Sequence, residues 1–230
     1  MKSVLAVLLA ATCVPALCLA TPLDDIKAAA KKLADAPTYG WTATTENAGG
    51  GGFGAGTATG VTEKDGYTVL TREFNGNTFQ SARKGDKVVL QNRDGDWVTR
   101  EDMMQQFGAT GASPRSGFFG VPTPAEQVVD LATGAKDLKV ADGAITGDLA
   151  EKSAAELLRF GRNAPKSATA SVKIWLKDGA LAKYELHLKG TITGRDGEDR
   201  EVDRTTTTEV KDVGSAKVQV PEEAKKLLGS

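Results

Sequence analysis

A long two-residue alternation near the C-terminus constrains the fold of this chain more than any other feature. From residue 182 to residue 192, apolar side chains such as Leu186 and Leu188 alternate with charged or polar ones. Successive side chains of a β-strand point to opposite faces, so the pattern predicts a strand with one buried and one wet face. Residues 172–177 alternate in the same way, and Asp178-Gly179 between the two runs favours a tight turn. The sequence therefore predicts an antiparallel hairpin with one buried face.

Further strand and turn signals extend this hairpin into a sheet. Between residues 66 and 98, short alternating runs are separated by Asn75-Gly76, Lys84-Gly85 and Asp94-Gly95. Residues 39–46 and 202–213 are rich in threonine, which is typical of strands. A strand pair is also predicted at 138–141 and 144–147. The glycine cluster within 47–60 is followed by another strand and lacks a Gly-Lys-Ser/Thr motif, so it indicates a hairpin connection and not a nucleotide site.

Short helices accompany the strands. In residues 23–33, Leu23, Ile26, Ala30 and Leu33 share one face of a predicted helix. Thr123 followed by proline and then Glu126 is the start signal of another helix. Further helices are predicted from Thr99, over 149–160 and over 222–228. The fold class is therefore mainly β, of the α+β kind.

The first twenty residues have the pattern of a secretory signal peptide. Lys2 supplies the positive charge, an apolar run follows, and Cys18-Leu19-Ala20 gives a small-x-small ending. Cys13 and Cys18 lie in poor lipobox contexts, so cleavage after Ala20 is favoured over a lipid anchor or a buried N-terminal helix. We expect a single mature domain, residues 21–230, without disulfides, exported to the periplasm or beyond the cell.

The residue inventory argues against several functional classes. The chain has one histidine, His187, on the polar side of its strand, so the sequence predicts no multi-histidine metal site and no cofactor. There is no Gly-x-Ser-x-Gly motif, and paired acids such as Glu101-Asp102 lie at helix starts, where the helix dipole accounts for them. Carboxylates meeting across strands stay open as a glycosidase-like alternative. A formal net charge of −1 gives no basic footprint for nucleic acid. We expect a protein that is not an enzyme.

Three segments resemble a known family. Residues 171–190 form a strand, an Asp-Gly turn and a long second strand, and residues 210–221 end in a valine-proline exit. Residues 86–98 place Trp97 after an Asp-Gly turn. Together they resemble the LolA/LppX-like lipoprotein-carrier superfamily, which includes periplasmic carriers of outer-membrane lipoproteins.

The resemblance implies a strongly curved antiparallel half-barrel sheet with short helices packed on its concave side. It further implies an apolar cavity between sheet and helices for a lipid or the acyl chains of a lipoprotein, a monomer, and peripheral association with the envelope. An arginine near the cavity is expected, with Arg72, Arg83 and Arg159 as candidates. A non-catalytic envelope protein of the same fold without a ligand cavity stays open as the alternative. The expected ligand-binding residues, with Phe118 and Phe119 as a lid, are Trp41, Phe118, Phe119, Val121, Tyr184, Leu186 and Leu188.

Overall fold

The computed structural model describes residues 21–48, 55–74, 76–92, 94–107, 122–159, 164–194 and 196–229. The predicted signal peptide, the glycine-rich stretch 49–54 and the expected lid residues Phe118, Phe119 and Val121 lie outside the described residues.

The described strands form one antiparallel sheet of 11 strands, in the order β6-β5-β4-β3-β2-β1-β11-β10-β9-β8-β7. Two meanders, β1 to β6 and β7 to β11, are joined where the first strand pairs with the last. β6 and β7 are the edges, so the sheet is open. The strands are β1 (Thr38–Asn47), β2 (Gly56–Glu63), β3 (Tyr67–Phe74), β4 (Asn77–Lys84), β5 (Lys87–Gln91), β6 (Trp97–Thr99), β7 (Ala135–Ala141), β8 (Ala144–Leu149), β9 (Ser167–Lys177), β10 (Ala180–Thr193) and β11 (Asp199–Lys211).

Five helices accompany the sheet among the described residues, which confirms the mainly β fold class. They are α1 (Pro22–Ala34), α2 (Arg100–Phe107), α3 (Pro124–Gly134), α4 (Glu151–Leu158) and α5 (Glu222–Leu228). The predicted start of α3 is confirmed: the Thr123 side chain accepts from the Glu126 N–H, the Glu126 carboxylate accepts in return, and proline opens the first turn.

Tight turns form at the Asp-Gly pairs that the sequence marks. Asp178 and Gly179 have φ of 53° and 67°, and Asp142 and Gly143 have φ of 50° and 75°. Positive φ at both central residues matches the twist of the flanking strands, as in a type I′ turn.

The helix predicted over 149–160 is wrong at its start. Leu149 belongs to β8, where it pairs with Ala135 and is 7% exposed, and α4 begins at Glu151. Strand β8 extends to Leu149 because that side chain is buried in the core. The helix signals in the local sequence contain no information about this tertiary contact.

One side of the sheet, which we call the helix face, carries Trp41, Tyr184 and Leu188. Helices α1, α3 and α4 pack against it, mainly over β7 to β10. Val172, Ile174 and Leu188 are each at most 1% exposed, which confirms the predicted facing of β9 and β10. A register shift between Leu181 and Lys183 also turns Leu181 into this core, which strict alternation did not predict.

The C-terminal helix lies on the other side of the sheet, which we call the outer face. On β3, Leu70 belongs to the main core, whereas its neighbour Val69 packs in a second cluster with Ala224 and Leu228 of α5. Adjacent residues of a strand point to opposite faces, so the two cores lie on opposite sides of the sheet. Helix α5 therefore covers the outer face of the sheet near β4 and β5.

Candidate ligand-binding site

The described members of the expected ligand-binding set all lie on the helix face. Trp41, Tyr184 and Leu188 are 3%, 2% and 1% exposed, and Leu186 is partly buried against them. The structure thus brings residues of β1 and β10 into one cluster. Side chains that fill a core are buried in the same way, so ligand contact by these residues stays a prediction.

The Trp41 ring lies directly over a glycine of the next strand. Trp41 pairs with Gly60, and a Cβ atom at Gly60 would overlap the indole ring. The Tyr39 ring stands beside the indole with 5.8 Å between ring centroids. Gly60 therefore sets how closely the indole can lie on the sheet.

Charged side chains fasten the start of α3 to the helix face of β4. Arg83 Nη2 donates to both carboxylate oxygens of Glu126 at 3.1 Å. Partial burial acts to raise the pKa of Glu126, but the hydrogen bond from the Thr123 N–H and the charge and hydrogen bonds of Arg83 outweigh it and lower that pKa. Arg83, one of the candidate arginines, therefore connects sheet and helix.

Two buried tyrosines of the sheet, Tyr184 and Tyr39, also interact with the start of α3. Tyr184 Oη donates to Gln127 Oε1 of α3 at 2.6 Å. Burial raises the pKa of the Tyr39 phenol, and the neighbouring Thr123 and Thr62 act to lower it. Burial also raises the pKa of the Tyr184 phenol, so both phenols stay neutral and act as hydrogen-bonding groups. These contacts hold the first turn of α3 against the helix face of the sheet.

Threonine side chains on β1 and β11 add further polar groups to the helix face. Thr208 is 1% exposed and is the strand partner of Tyr184 on β11. The Thr45 and Thr206 hydroxyls are 2.9 Å apart and join β1 to β11 on the same face. The helix face of β11 and β1 is thus partly polar, in contrast to the apolar face under the helices.

Two arginines also lie on the helix face of the sheet. Arg72 of β3 and Arg204 of β11 are both partly buried on the helix face. Burial lowers the pKa of both, and the charge of Arg204 further lowers the pKa of Arg72. Both remain cations at neutral pH, because an arginine does not deprotonate in proteins. Arg159, the third candidate, instead pairs with Glu156 at 3.4 Å on the surface of α4.

Sequence reasoning missed Arg204, although a signal for it was present. Strand β11 was recognised only as threonine-rich, yet Asp199, Glu201 and Asp203 alternate there with Arg200, Val202 and Arg204. This alternation assigns the acids to one face and the arginines to the other.

The single histidine lies on the outer face, as its strand position predicts. His187 Nε2 is 2.8 Å from Asp203 Oδ1, and Lys189 Nζ is 3.3 Å from the other oxygen. The hydrogen bond with His187 is the main cause of the lowered pKa of Asp203. Among the described residues, no three His, Cys, Asp or Glu side chains are arranged to hold a metal ion.

A cleft of about 430 Å3 lies near the β6 edge of the sheet. Its lining includes Asp86, Lys87, Arg100 and Glu101 together with Leu227 of α5. The mixture of both charges differs from the apolar lining that the family resemblance implies.

No helix among the described residues is long and apolar enough to cross a membrane.

The sequence matches no protein-family model and no curated protein. Among solved structures, the fold is similar to the lipoprotein LppX of Mycobacterium tuberculosis, with 13% identity, a TM-score of 0.47 and coverage of 86% of this chain and 97% of that one. It is also similar to LprF from Mycobacterium bovis, with 12% identity, a TM-score of 0.42 and coverage of 88% and 96%.

A third similar structure is a LolA superfamily protein from Nitrosomonas europaea, with 9% identity, a TM-score of 0.35 and coverage of 87% and 96%. The fold class follows from the strand order of the chain itself, an open antiparallel sheet with helices on its faces.

Proposed function

We propose that this chain is an exported, non-catalytic binding protein for an apolar ligand, either a lipid or the acyl chains of a lipoprotein. The ligand lies between the helix face and the helices that cover part of it. The mature protein starts at Thr21 after cleavage of the signal peptide, forms one domain, and acts as a monomer with peripheral contact to the envelope.

One observation carries this proposal: in the part of the chain that the structure describes, the helices cover the helix face unevenly. Helices α1, α3 and α4 pack mainly over β7 to β10. On the adjoining strands, Ala43 and Val202 face the same side and are only partly buried, as is Leu186 of β10. Partly exposed apolar surface that continues from a buried core is typical of ligand-binding sites.

Native mass spectrometry of the protein purified from its own envelope tests this proposal. We expect a bound species with the mass of a lipid, and a polypeptide mass that corresponds to residues 21–230. A diacylglyceryl adduct on Cys13 or Cys18 would contradict the proposed release from the membrane.

Uptake of a fluorescent fatty-acid probe provides the second measurement. Delipidated protein should bind the probe, and the lipid extracted from the native preparation should displace it. If no lipid co-purifies and no probe binds, the proposal is wrong, and the alternative of an envelope protein with a filled core is favoured.

A further inference from the structure

The outer face of β7 to β10, which we call the basic half of the sheet, carries an excess of lysine. At the paired positions of these strands, the outer face has six lysines and only two acids, Asp148 and Glu185. The lysines are Lys136, Lys139, Lys173, Lys177, Lys183 and Lys189.

The acids of the outer face lie on other strands. They are Asp199, Glu201, Asp203 and Glu209 on β11, followed by glutamates on β1 to β3. Neighbouring strands are rotated by about 20–25°, so β2, four strands from β9, is turned by roughly 80–100° from it. A flat surface that lies against β9 is therefore directed away from the glutamates of β2 and β3.

Most lysines of the basic half have no counter-charge. Four of them are exposed and form no ion pair with any residue that the structure describes: Lys136, Lys139, Lys173 and Lys177. The other two, Lys183 and Lys189, pair with Glu185 and Asp203 at 2.9 and 3.3 Å. A group of unpaired ammonium ions on one surface creates a positive potential that attracts an anionic partner.

A tryptophan lies among these lysines. Trp175 stands between Lys173 and Lys177 on the same face of β9 and is only partly buried. Lys183 Nζ is 4.2 Å from the centroid of its ring. Tryptophan is enriched at membrane–water interfaces, because its ring is apolar and its N–H is polar.

The described helices leave this surface open. Helices α1, α3 and α4 pack on the helix face of β7 to β10, and α5 lies over β4 to β6. The combination of open lysines with one interfacial aromatic ring is complementary to a surface that is anionic at its head groups and apolar below them.

We propose that the basic half docks the protein on an anionic membrane surface, with the lysines near the lipid phosphates and Trp175 among the head groups. One lysine close to such a surface strengthens binding by about fivefold, so four unpaired lysines are sufficient for reversible attachment. The helix face lies on the other side of the sheet and stays free for the apolar ligand. This inference rests on the proposed function and names the surface and the lipid charge of its envelope contact.

Co-sedimentation with lipid vesicles tests the requirement for anionic lipid. The mature protein should bind vesicles of equal parts phosphatidylglycerol and phosphatidylcholine at least about tenfold more tightly than vesicles of phosphatidylcholine alone. Raising the salt from about 0.1 M to about 1 M shortens the screening length from about 10 Å to about 3 Å and should remove most of this difference. Equal binding to both kinds of vesicle would overturn the proposal.

Charge-reversing variants locate the surface. Lys173→Glu and Lys177→Glu should each weaken binding to the anionic vesicles by about fivefold or more. Lys226→Glu is the matched control, because Lys226 is an exposed lysine on α5 at the other end of the sheet, and it should change binding by less than about twofold. Trp175→Thr keeps the charge and a strand-forming residue, and should also weaken binding. Equal losses in all three lysine variants would show that net charge and not the basic half controls binding.

Sedimentation velocity tests a second copy of the chain as the partner. If the variants at Lys173 and Lys177 abolish a dimer and the protein binds no vesicles, the basic half joins two copies and the membrane proposal is wrong.

The outcomes also separate this inference from the proposed function. If the fatty-acid probe binds but anionic vesicles do not, the membrane surface is wrong and the apolar binding function stands. If anionic vesicles bind through Lys173 and Lys177 although no lipid co-purifies and no probe binds, the membrane surface stands and the apolar binding function is wrong.

Discussion

Leu188 and Leu227 carry the same side chain in opposite surroundings. Leu188 is 1% exposed on the helix face of β10, whereas Leu227 is 39% exposed on α5. We expect Leu188→Ala to lower the free energy of unfolding by about 2–5 kcal/mol, because it removes buried apolar atoms and leaves a cavity. Leu227→Ala should change it by less than about 0.5 kcal/mol. Urea denaturation measures both, and equal losses would mean that the assignment of the core is wrong.

Glu126 couples the attachment of α3 to pH. Its pKa is lowered in the folded protein, so the unfolded chain binds a proton more readily. Its contribution to stability is therefore complete above the ordinary glutamate pKa of about 4.3 and is lost as pH falls through the lower folded value.

We expect Glu126→Gln to destabilise the protein at pH 7 and to make the unfolding free energy vary less with pH below about 4.3. Glu151→Gln is the control: Glu151 also lies in the first turn of a helix, but no side chain caps that helix. Thermal unfolding between pH 3 and pH 7 measures this. Parallel pH profiles for Glu126→Gln and the unmutated protein would rule out the coupling.

At the scale of elements, the pairing of β1 with β2 depends on one glycine. A Cβ at Gly60 would overlap the Trp41 ring, whereas a Cβ at Gly40 would have its nearest neighbour, Lys211 Cγ, at 3.5 Å. We expect Gly60→Ala to cost about 1–3 kcal/mol through overpacking, and Gly40→Ala to cost less. The comparison uses the same substitution on two adjacent strands. Melting temperatures that fall equally would show that the indole moves aside without strain.

Helix α5 and the outer face of β4 and β5 form a core of their own. Ala224 is 0% exposed and packs with Ala82 and Val89, apart from the main core. We expect Ala224→Asp to bury a charge there and to lower amide protection in β4 and β5 by tenfold or more, an order-of-magnitude figure for local opening.

Protection in β9 and β10 should change much less, because their side chains belong to the other cluster. Native-state hydrogen exchange measures both regions in one experiment, and Lys226→Asp on the same helix is the control. A uniform loss of protection over all strands would mean that the two cores unfold as one unit.

At the scale of the whole molecule, binding and stability are linked. A ligand that binds only the folded state at 100 times its Kd stabilises that state by about 2.7 kcal/mol. For a chain of this size, each kcal/mol raises the melting temperature by roughly 2–4 °C, so saturating palmitate should raise it by about 5–10 °C. Butyrate has the same head group and little apolar area, and should have almost no effect. No shift with palmitate at any soluble concentration would contradict the proposed binding function.

Local signals determined a large part of this architecture. Alternation in β9 and β10, positive-φ turns at Asp178-Gly179 and the capped start of α3 at Thr123 are each decided by a few adjacent residues, and all three were predicted. The mainly β fold class follows from such signals. Tyr184 and Leu188 are buried on the face of β10 that alternation predicted.

Other features depended on contacts between distant parts of the chain, and only the tertiary structure decided them. The pairing of β1 with β11 joins residues such as Trp41 and Val210, and no local pattern specifies that register. The position of α5 on the outer face depends on its contacts with β4 and β5. Arg72 and Arg204 belong to the two different meanders and share a face only because β1 and β11 bring those meanders together. Alternation in a strand determines which residues share a face, but strand order determines which of those faces meet.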